Sequence, residues 1–190
     1  MILVHKNINC SIAFEEGTAK RIVIENNKLF RKLIKDLLYQ TNGLEGGFIL
    51  SDNNNEIKID KKIRMVIDPF YQEINGKKVL NKVYEEIVLI SLEKNHHVNT
   101  EEIFLIIKDY VDKLIADLPY VLETRVEIDV KSILQMMAVK FIEEDEEILG
   151  KIIEYIKIMS RLMDYECIAF VNLGSFFDKK EIEYIYKCAA

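Results

Sequence analysis

The spacing of apolar residues changes along the chain. Before residue 76, short apolar runs rich in β-forming residues alternate with polar or glycine-containing pieces, a pattern typical of strands. An Asn-rich piece, "SDNNNE", predicts a hairpin turn between two of these runs, because asparagine tolerates a positive φ. The predicted strands are Met1–Val4, Ile12–Phe14, Arg21–Ile24, Phe48–Leu50, Ile57–Ile59 and Ile63–Ile67, and the predicted helix among them is Asn27–Tyr39.

After Gly76 the apolar positions follow helical spacing. We expect a loop at Asn95-His96-His97, followed by a helix that starts near Asn99 in a capping-box-like arrangement and stops at Pro119. The other predicted helices are Lys78–Glu93, Ile128–Phe141 and Glu144–Met163. This order predicts an α/β core domain, residues 1–75 and 144–190, interrupted by a helical domain, residues 76–143.

The segment "CIAFVNLGSFFDKKEIEYIY" returns to a strand pattern over Ile168–Val171, turns at Asn172-Leu173-Gly174, and predicts a helix that starts near Asp178. A strand, a glycine turn and a helix N-terminus often receive an anion. However, none of the seven glycines opens a phosphate-loop motif, and no G-x-G-x-x-G occurs. The sequence therefore favours an ordinary turn over a working nucleotide site.

Charge is distributed unevenly between the two halves of the chain. Residues 1–90 carry 14 Lys/Arg against 12 Asp/Glu, whereas residues 91–190 carry 12 against 20, a net of −8. A typical nucleic-acid-binding domain is basic, so this chain can bind DNA only if its positive charges gather on one face. No signal-peptide pattern opens the sequence and no apolar segment is long enough to cross a membrane, so we expect a cytoplasmic protein.

Few side chains are arranged for chemistry. The three cysteines are scattered without a C-x-x-C pair, which indicates neither a disulfide framework nor a zinc site. No Ser–His–Asp or Cys–His set can be placed, so no enzymatic activity is predicted. Lys131 and Lys140 lie in the predicted helix Ile128–Phe141; at 100° per residue they would point to opposite sides of it.

The stretch "VEIDVKSILQMMAVKFIEEDEEILGKIIEYIKIMSRLMDYECIAFVNLGSFFDKKEIE" resembles the Csn-two family, the accessory adaptation protein of type II-A CRISPR systems. The most telling piece is "IAFVNLGSFFDKKE", which is similar to that family's strand, Asn-x-Gly turn and Phe-containing loop before a helix. Earlier pieces, "IAFEEGTAKRIVIENNKLFRKLI" and "IRMVIDPFYQEINGKKVLNKVYEEI", agree with the family in order. Relatives continue beyond "IYKCAA" with at least one more strand.

The resemblance implies a specific function. Members have an α/β core similar to P-loop nucleoside triphosphatases but without a working Walker motif, and a helical domain extends from it. Four subunits close a homotetrameric ring, whose lysine-lined lumen receives double-stranded DNA ends without sequence preference. Calcium stabilises the DNA-binding form, and the protein acts, without being an enzyme, in spacer acquisition beside the CRISPR integrase proteins and the RNA-guided effector nuclease.

The resemblance also implies roles for particular residues. By position in the match, Lys140 falls on a lumen lysine of the family, Gln135 replaces another, and Lys131 is a nearby substitute for DNA contact. In "LPYVLETRVEI", the acidic residues that would bind calcium are Glu123 and Glu127. A ring can be acidic outside and basic within, which reconciles DNA binding with the net negative charge.

Two other functions remain open from the sequence. The strand–glycine–helix element favours a nucleotide-binding α/β protein, whereas the long helical faces suit a scaffold that binds only proteins and has no DNA affinity.

Overall fold

A computed structural model of the chain describes residues 1–53, 55–123, 129–142 and 147–189. Its elements, in chain order, are β1 (Ile2–His5), β2 (Ile12–Ala13), α1 (Asn27–Thr41), β3 (Phe48–Asp52), β4 (Asn55–Ile57), α2 (Ile59–Lys62), β5 (Ile63–Val66), α3 (Lys77–Ser91), α4 (Lys94–Ala116), α5 (Val130–Met136), α6 (Ile148–Leu162), β6 (Cys167–Phe170), a 3₁₀ turn (Leu173–Ser175) and α7 (Lys179–Ala189).

The chain forms two compact units. The α/β unit comprises Met1–Glu73 and Glu144–Ala190, and the helical unit comprises Ile74–Glu143. Strands and helices are mixed in the first unit, and the described elements of the second are helices, which confirms the α/β class. Within the described part of the chain, no helix combines the length and the apolar character needed to cross a membrane.

An antiparallel sheet of four strands, in the order β2-β1-β3-β4, forms one layer of the α/β unit. Side chains from this sheet, from α1, from α2 and from the start of β5 form a core. At its edge, the Gln40 side chain accepts a hydrogen bond from the Phe48 N–H (2.9 Å) and donates one to the Phe48 carbonyl (2.8 Å). The buried members of this core are Leu3, Leu33, Phe48, Leu50, Ile59 and Ile63.

A buried histidine lies beside this core. The Nε2 atom of His5 is 3.0 Å from an Asp36 carboxylate oxygen, and its Nδ1 atom accepts a hydrogen bond from the Asn7 N–H at 3.1 Å. Both ring nitrogens are therefore satisfied by the protein. A Cβ atom on Gly47 would overlap His5 Nε2 and come within 2.8 Å of the Asp36 oxygen, so this packing requires glycine.

The other sheet of the α/β unit is a parallel pair, in which β5 aligns with β6 from Ile63 opposite Cys167 to Val66 opposite Phe170. The helical unit lies between these two strands in sequence. A second core of Ile152, Ile156, Phe177 and Ile185 packs α6 and α7 together, and residues of β6 contact it. Burial of the Cys167 side chain raises the pKa of its thiol to about 11, so this cysteine stays a neutral thiol at neutral pH.

The helical unit buries little of its apolar surface. Its buried apolar residues among those described are Ile74, Val79 and Tyr84. Helix α4 carries an apolar stripe whose side chains are about half or more exposed. The α4 stripe consists of Ile103, Ile106, Tyr110 and Leu114, with exposed fractions of 50%, 68%, 63% and 52%.

Three sequence-based expectations before residue 100 are wrong at the level of elements. The predicted strand Ile57–Ile59 is wrong, because β4 ends at Ile57 and α2 starts at Ile59. Arg21–Ile24 is not a strand, because no described strand pairs with it, and Ile22 and Val23 are exposed. The residues Asn95-His96-His97 do not form a loop, since α4 starts at Lys94, five residues before the predicted cap at Asn99. Strand propensity does not show whether a segment has a neighbouring strand to pair with. A helix that starts without a side-chain cap leaves no capping signal in the sequence.

Candidate nucleic-acid interface

Helix α5 carries the first lysine expected at the interface. Asp129 caps this helix: its carboxylate accepts hydrogen bonds from the N–H (2.7 Å) and the hydroxyl (2.8 Å) of Ser132. The bond from the Ser132 N–H is the main cause that lowers the pKa of Asp129 below its ordinary value. The nearby Lys131 charge acts on the pKa of Asp129 in the same direction, as a smaller cause.

The predicted helix Ile128–Phe141 is wrong at its end, because α5 stops at Met136. Ala138 adopts a positive φ of 51°, its N–H donates to the Gln135 carbonyl, and the Val139 N–H donates to the Leu134 carbonyl. These two bonds form a Schellman motif, which satisfies the last carbonyls of the helix and turns the chain away. Lys140 therefore lies beyond the helix, and the expected placement of Lys131 and Lys140 on opposite sides of one straight helix is wrong.

The segment that carries Lys140 is held on both sides. The Tyr84 hydroxyl donates a hydrogen bond of 2.7 Å to the Val139 carbonyl. The Asn75 side chain accepts from the Phe141 N–H at 2.8 Å and donates to the Phe141 carbonyl at 3.2 Å. Lys140, between these two anchors, is exposed. Lys140 is thus exposed to solvent, while the backbone residues before and after it are held by hydrogen bonds.

Lys131 has a different environment. It is half-buried and, together with Val88 and Phe104, lines an apolar groove of about 570 Å³ among α3, α4 and α5. It lies in the first turn of α5, whereas Lys140 follows the last. The structure therefore places the two predicted DNA-contact lysines at opposite ends of α5 and does not bring them together. Gln135, the expected replacement of a lumen lysine, is exposed in the last turn.

The expected calcium ligands are only partly described. Glu123 is exposed in an irregular segment, and Glu127 lies outside the described residues. Across residues 1–53, 55–123, 129–142 and 147–189, no group of three or more His, Cys, Asp or Glu side chains is placed to hold a metal ion. Glu123 is therefore not part of such a group among these residues.

The strand–turn–helix element uses its helix end for capping. Its left-handed residue is Asn172, with a φ of 56°, rather than Gly174. Asp178 accepts hydrogen bonds from the N–H groups of Lys180 (2.7 Å) and Glu181 (2.9 Å), and its own N–H donates to the Glu181 carboxylate (2.7 Å). This capping box confirms the predicted helix start at Asp178. The same carboxylates occupy the N–H groups that an anionic ligand would need at this position.

Sequence reasoning missed Asn75 and Tyr84, the residues that hold the Lys140 segment. Tyr84 lies within the predicted helix Lys78–Glu93 with no role assigned to it, and Asn75 lies outside the predicted helices and strands. Their partners lie 55 and 66 positions further along the chain. A tyrosine predicted to be buried indicates a distant hydrogen-bond partner, because a buried hydroxyl nearly always has one.

Comparison with protein families identifies the chain. A search of curated proteins finds no match. The family model described as "CRISPR-associated protein (Cas_Csn2)" matches residues 39–190, which include α3 to α5, the Lys140 segment and the strand–turn–helix element. This match confirms the resemblance seen in the sequence. Because it covers about four-fifths of the residues, the chain belongs to the Cas_Csn2 family of CRISPR-associated proteins.

Proposed function

We propose that this protein is a non-enzymatic, sequence-independent binder of double-stranded DNA ends that acts in CRISPR spacer acquisition. It works in the cytoplasm as a homotetrameric ring, beside the CRISPR integrase proteins and the RNA-guided effector nuclease. The membership of a CRISPR-associated family supports the pathway, and the placement of Lys140 supports the contact with DNA.

Lys140 is the observation that carries the proposal. It is exposed, it has no carboxylate partner among the residues the structure describes, and its neighbours on both sides are hydrogen-bonded to α3 or to the residues just before it. A lysine held in this way can meet a phosphate without first breaking an ion pair. Contacts to phosphate fix the position of a protein on DNA without reading its sequence, which suits binding of arbitrary DNA ends.

The α4 stripe supports self-association. Ile103, Ile106, Tyr110 and Leu114 follow spacings of three and four residues, so they share one face of the helix. A second side of α4, which includes Phe104 and Ile107, is half-buried within the unit. A helix that is apolar on two sides and covered on only one exposes a patch of the kind that marks protein–protein contacts. Another subunit of the ring is the occupant we propose.

A core related to P-loop nucleoside triphosphatases but without catalytic residues remains part of the proposal. The parallel β5–β6 pair, followed by a turn and α7, agrees with such an origin, and no Walker motif occurs in the sequence. A nucleotide-binding protein is the alternative. A nucleotide at 100 times its Kd should stabilise the fold by about 2.7 kcal/mol. We expect no thermal shift with ATP or GTP and magnesium, because Asp178 already fills the helix end.

Calcium binding by Glu123 and Glu127 stays a prediction. Calcium takes about six to eight oxygen ligands, so these two side chains would need further oxygens from the backbone, from water or from a neighbouring subunit. Every DNA-binding measurement should therefore be made with calcium and with a chelator. Tighter binding in calcium that disappears in Glu123→Gln would support the prediction, and identical isotherms would contradict it.

The decisive experiment compares a linear duplex with the same duplex closed into a covalent circle. A closed ring that threads onto an end should bind the linear form and reject the circle. Equal affinity for both would contradict the ring and indicate an open basic face. If neither form binds at low salt, the remaining alternative is a protein-binding scaffold, which the exposed α4 stripe favours.

Lys140→Glu tests the contact itself. We expect clearly weaker binding to linear duplex, a salt dependence reduced by about 0.9 for each lost phosphate contact, and an unchanged oligomeric state. Lys113→Glu is the matched control, since Lys113 is equally a lysine of the helical unit but pairs with Asp109 on α4. An unaltered isotherm for Lys140→Glu, or equal losses in both variants, would remove Lys140 from the interface.

A further inference from the structure

Two more lysines resemble Lys140 in their exposure. Lys77 and Lys78 form the first turn of α3, and both are exposed. Neither forms an ion pair or a side-chain hydrogen bond with any residue in the described part of the chain. Their charges are therefore free to meet an outside anion.

The other lysines of the helical unit behave differently. Lys82 pairs with Glu85 at 3.1 Å, Lys108 with Asp112 at 2.7 Å, and Lys113 with Asp109. Lys131 lies near the Asp129 carboxylate, as described above. Among the lysines of this unit whose side chains the structure describes, those that form no ion pair are Lys77, Lys78, Lys131 and Lys140. Lys131 is half-buried, whereas the other three are exposed. Because acidic side chains outnumber basic ones in this unit, a lysine without an acidic partner is distinctive there.

Hydrogen bonds hold the two segments that carry the three lysines next to each other. Asn75 holds both backbone polar groups of Phe141, the residue after Lys140, and Asn75 is two residues before Lys77. With about 3.8 Å between consecutive Cα atoms, this connection limits the three lysine Cα atoms to a region about 20 Å across. The two segments are adjacent in space although they are more than 60 positions apart in sequence.

The first turn of α3 carries two positive charges, which the helix dipole disfavours. Its first turn contains no acidic residue, and Gly76 offers no side-chain cap. Lysines at a helix N-terminus are unfavourable for the helix, because the peptide dipoles make that end positive. Local choices that work against the fold are expected at functional sites. Here an anion beside Lys77 and Lys78 would relieve the repulsion.

We propose that Lys77, Lys78 and Lys140 form one lysine patch that binds the phosphate backbone of duplex DNA. Duplex DNA carries about one negative charge per 1.7 Å of its axis, so about twelve phosphates lie along a stretch as wide as the patch. The inference rests on the proposed DNA binding and extends it from one lysine to three on two chain segments. Asn75 is a positioning residue, since it ties the segments together.

The test uses the full-length protein and a labelled linear duplex, with Kd measured by anisotropy over a series of potassium chloride concentrations. For the double variant Lys77→Ala/Lys78→Ala we expect weaker binding and a slope of log K against log salt that is shallower by about 1.8 for each subunit on the DNA. The control is Lys108→Ala/Lys113→Ala, which removes the same charge from lysines that are already paired. The control should keep the wild-type slope.

Asn75→Ala separates position from charge. It removes no charge, yet it should weaken binding by releasing the Lys140 segment, while far-UV circular dichroism stays unchanged. If the wild type binds duplex but Lys77→Ala/Lys78→Ala keeps its slope, the patch is wrong and DNA binding through Lys140 stands. If both double variants lose slope equally, general charge and not this patch determines binding. If the wild type binds no duplex at any salt, the proposed function and the patch fall together.

Discussion

The two units of this protein use apolar residues in opposite ways. In the α/β unit, Leu50, Ile152 and Ile185 are almost completely buried, at 1%, 0% and 2% exposure. In the helical unit, Ile106 and Tyr110 are 68% and 63% exposed. The first unit buries its apolar side chains in its own cores, where they stabilise the fold. The second leaves them on its surface, together with the unpaired lysines, where they can contact other molecules.

Both units contain the same type of hydrogen-bonded contact between a side-chain amide and the backbone. Each unit uses a side-chain amide to hold both polar groups of one backbone residue: Gln40 holds Phe48, and Asn75 holds Phe141. In the α/β unit the residue held is buried in the core, whereas in the helical unit it follows an exposed lysine. The same local chemistry supports packing in one place and presentation of a charge in the other.

Removing a core side chain from the α/β unit should have the largest effect. Ile152→Ala leaves a cavity among Ile156, Phe177 and Ile185, and the free energy of unfolding should fall by about 2–5 kcal/mol. Urea denaturation followed by circular dichroism measures it. A loss below about 1 kcal/mol would contradict the division of roles between the units.

A glycine of the α/β unit should show the next largest effect. Gly47→Ala places a methyl group against His5 and Asp36, and overpacking of this kind costs about 1–3 kcal/mol. Gly174→Ala is the matched control, because the nearest atom to its added Cβ is Ile182 Cδ1 at 4.0 Å and its φ is not left-handed. Thermal unfolding of both variants tests the pair. Equal melting temperatures would show that the His5 packing gives way freely.

In the helical unit a single substitution should stabilise the chain. Ala138 adopts a left-handed conformation that costs an L-residue about 1–2 kcal/mol, while glycine loses about 0.5–1 kcal/mol in chain entropy. Ala138→Gly should therefore raise the free energy of unfolding by about 0.5–1 kcal/mol. Urea denaturation at fixed protein concentration measures the gain, and a loss of stability would contradict the Schellman geometry.

The smallest effect on stability is expected at the α4 stripe. Ile106→Asn should change the free energy of unfolding by no more than about 0.5 kcal/mol, since the side chain is largely exposed. Sedimentation velocity should nevertheless show smaller assemblies. Glu102→Asn, a polar position on the same helix, should leave the assemblies intact. Unchanged assembly in Ile106→Asn would mean that the stripe is not the contact between subunits.

Much of the fold follows from the sequence, and the reasons are local. Helix α1 was predicted over Asn27–Tyr39 and runs over Asn27–Thr41, because Asn26 caps it and apolar residues repeat along one face. The hairpin of β3 and β4 was predicted from its Asn-rich turn, and Asn53 indeed has a positive φ of 47°. Caps, turns and periodicity are properties of neighbouring residues, so one sequence reveals them.

The candidate site could be predicted only in part. The family resemblance indicated Lys140, but the end of α5 depends on a left-handed alanine, a residue that gives no warning of such a turn. The partners of Lys140's neighbours, Asn75 and Tyr84, lie far along the chain. The apolar residues of α4 follow helical spacing, but periodicity cannot say whether the surface that covers them belongs to the same chain.

The parallel pair of β5 and β6 has a consequence for the way this chain folds. Ile63 and Cys167 lie opposite each other although 104 positions separate them, and the whole helical unit is synthesised between the two strands. Closing so long a loop costs more entropy than forming a hairpin, and contacts distant in sequence form slowly. β5 therefore leaves the ribosome well before its partner, and the order of synthesis makes this pair a late step in folding. Mutations in β6 should accordingly slow maturation of the α/β unit more than equally buried mutations in the early β3–β4 hairpin.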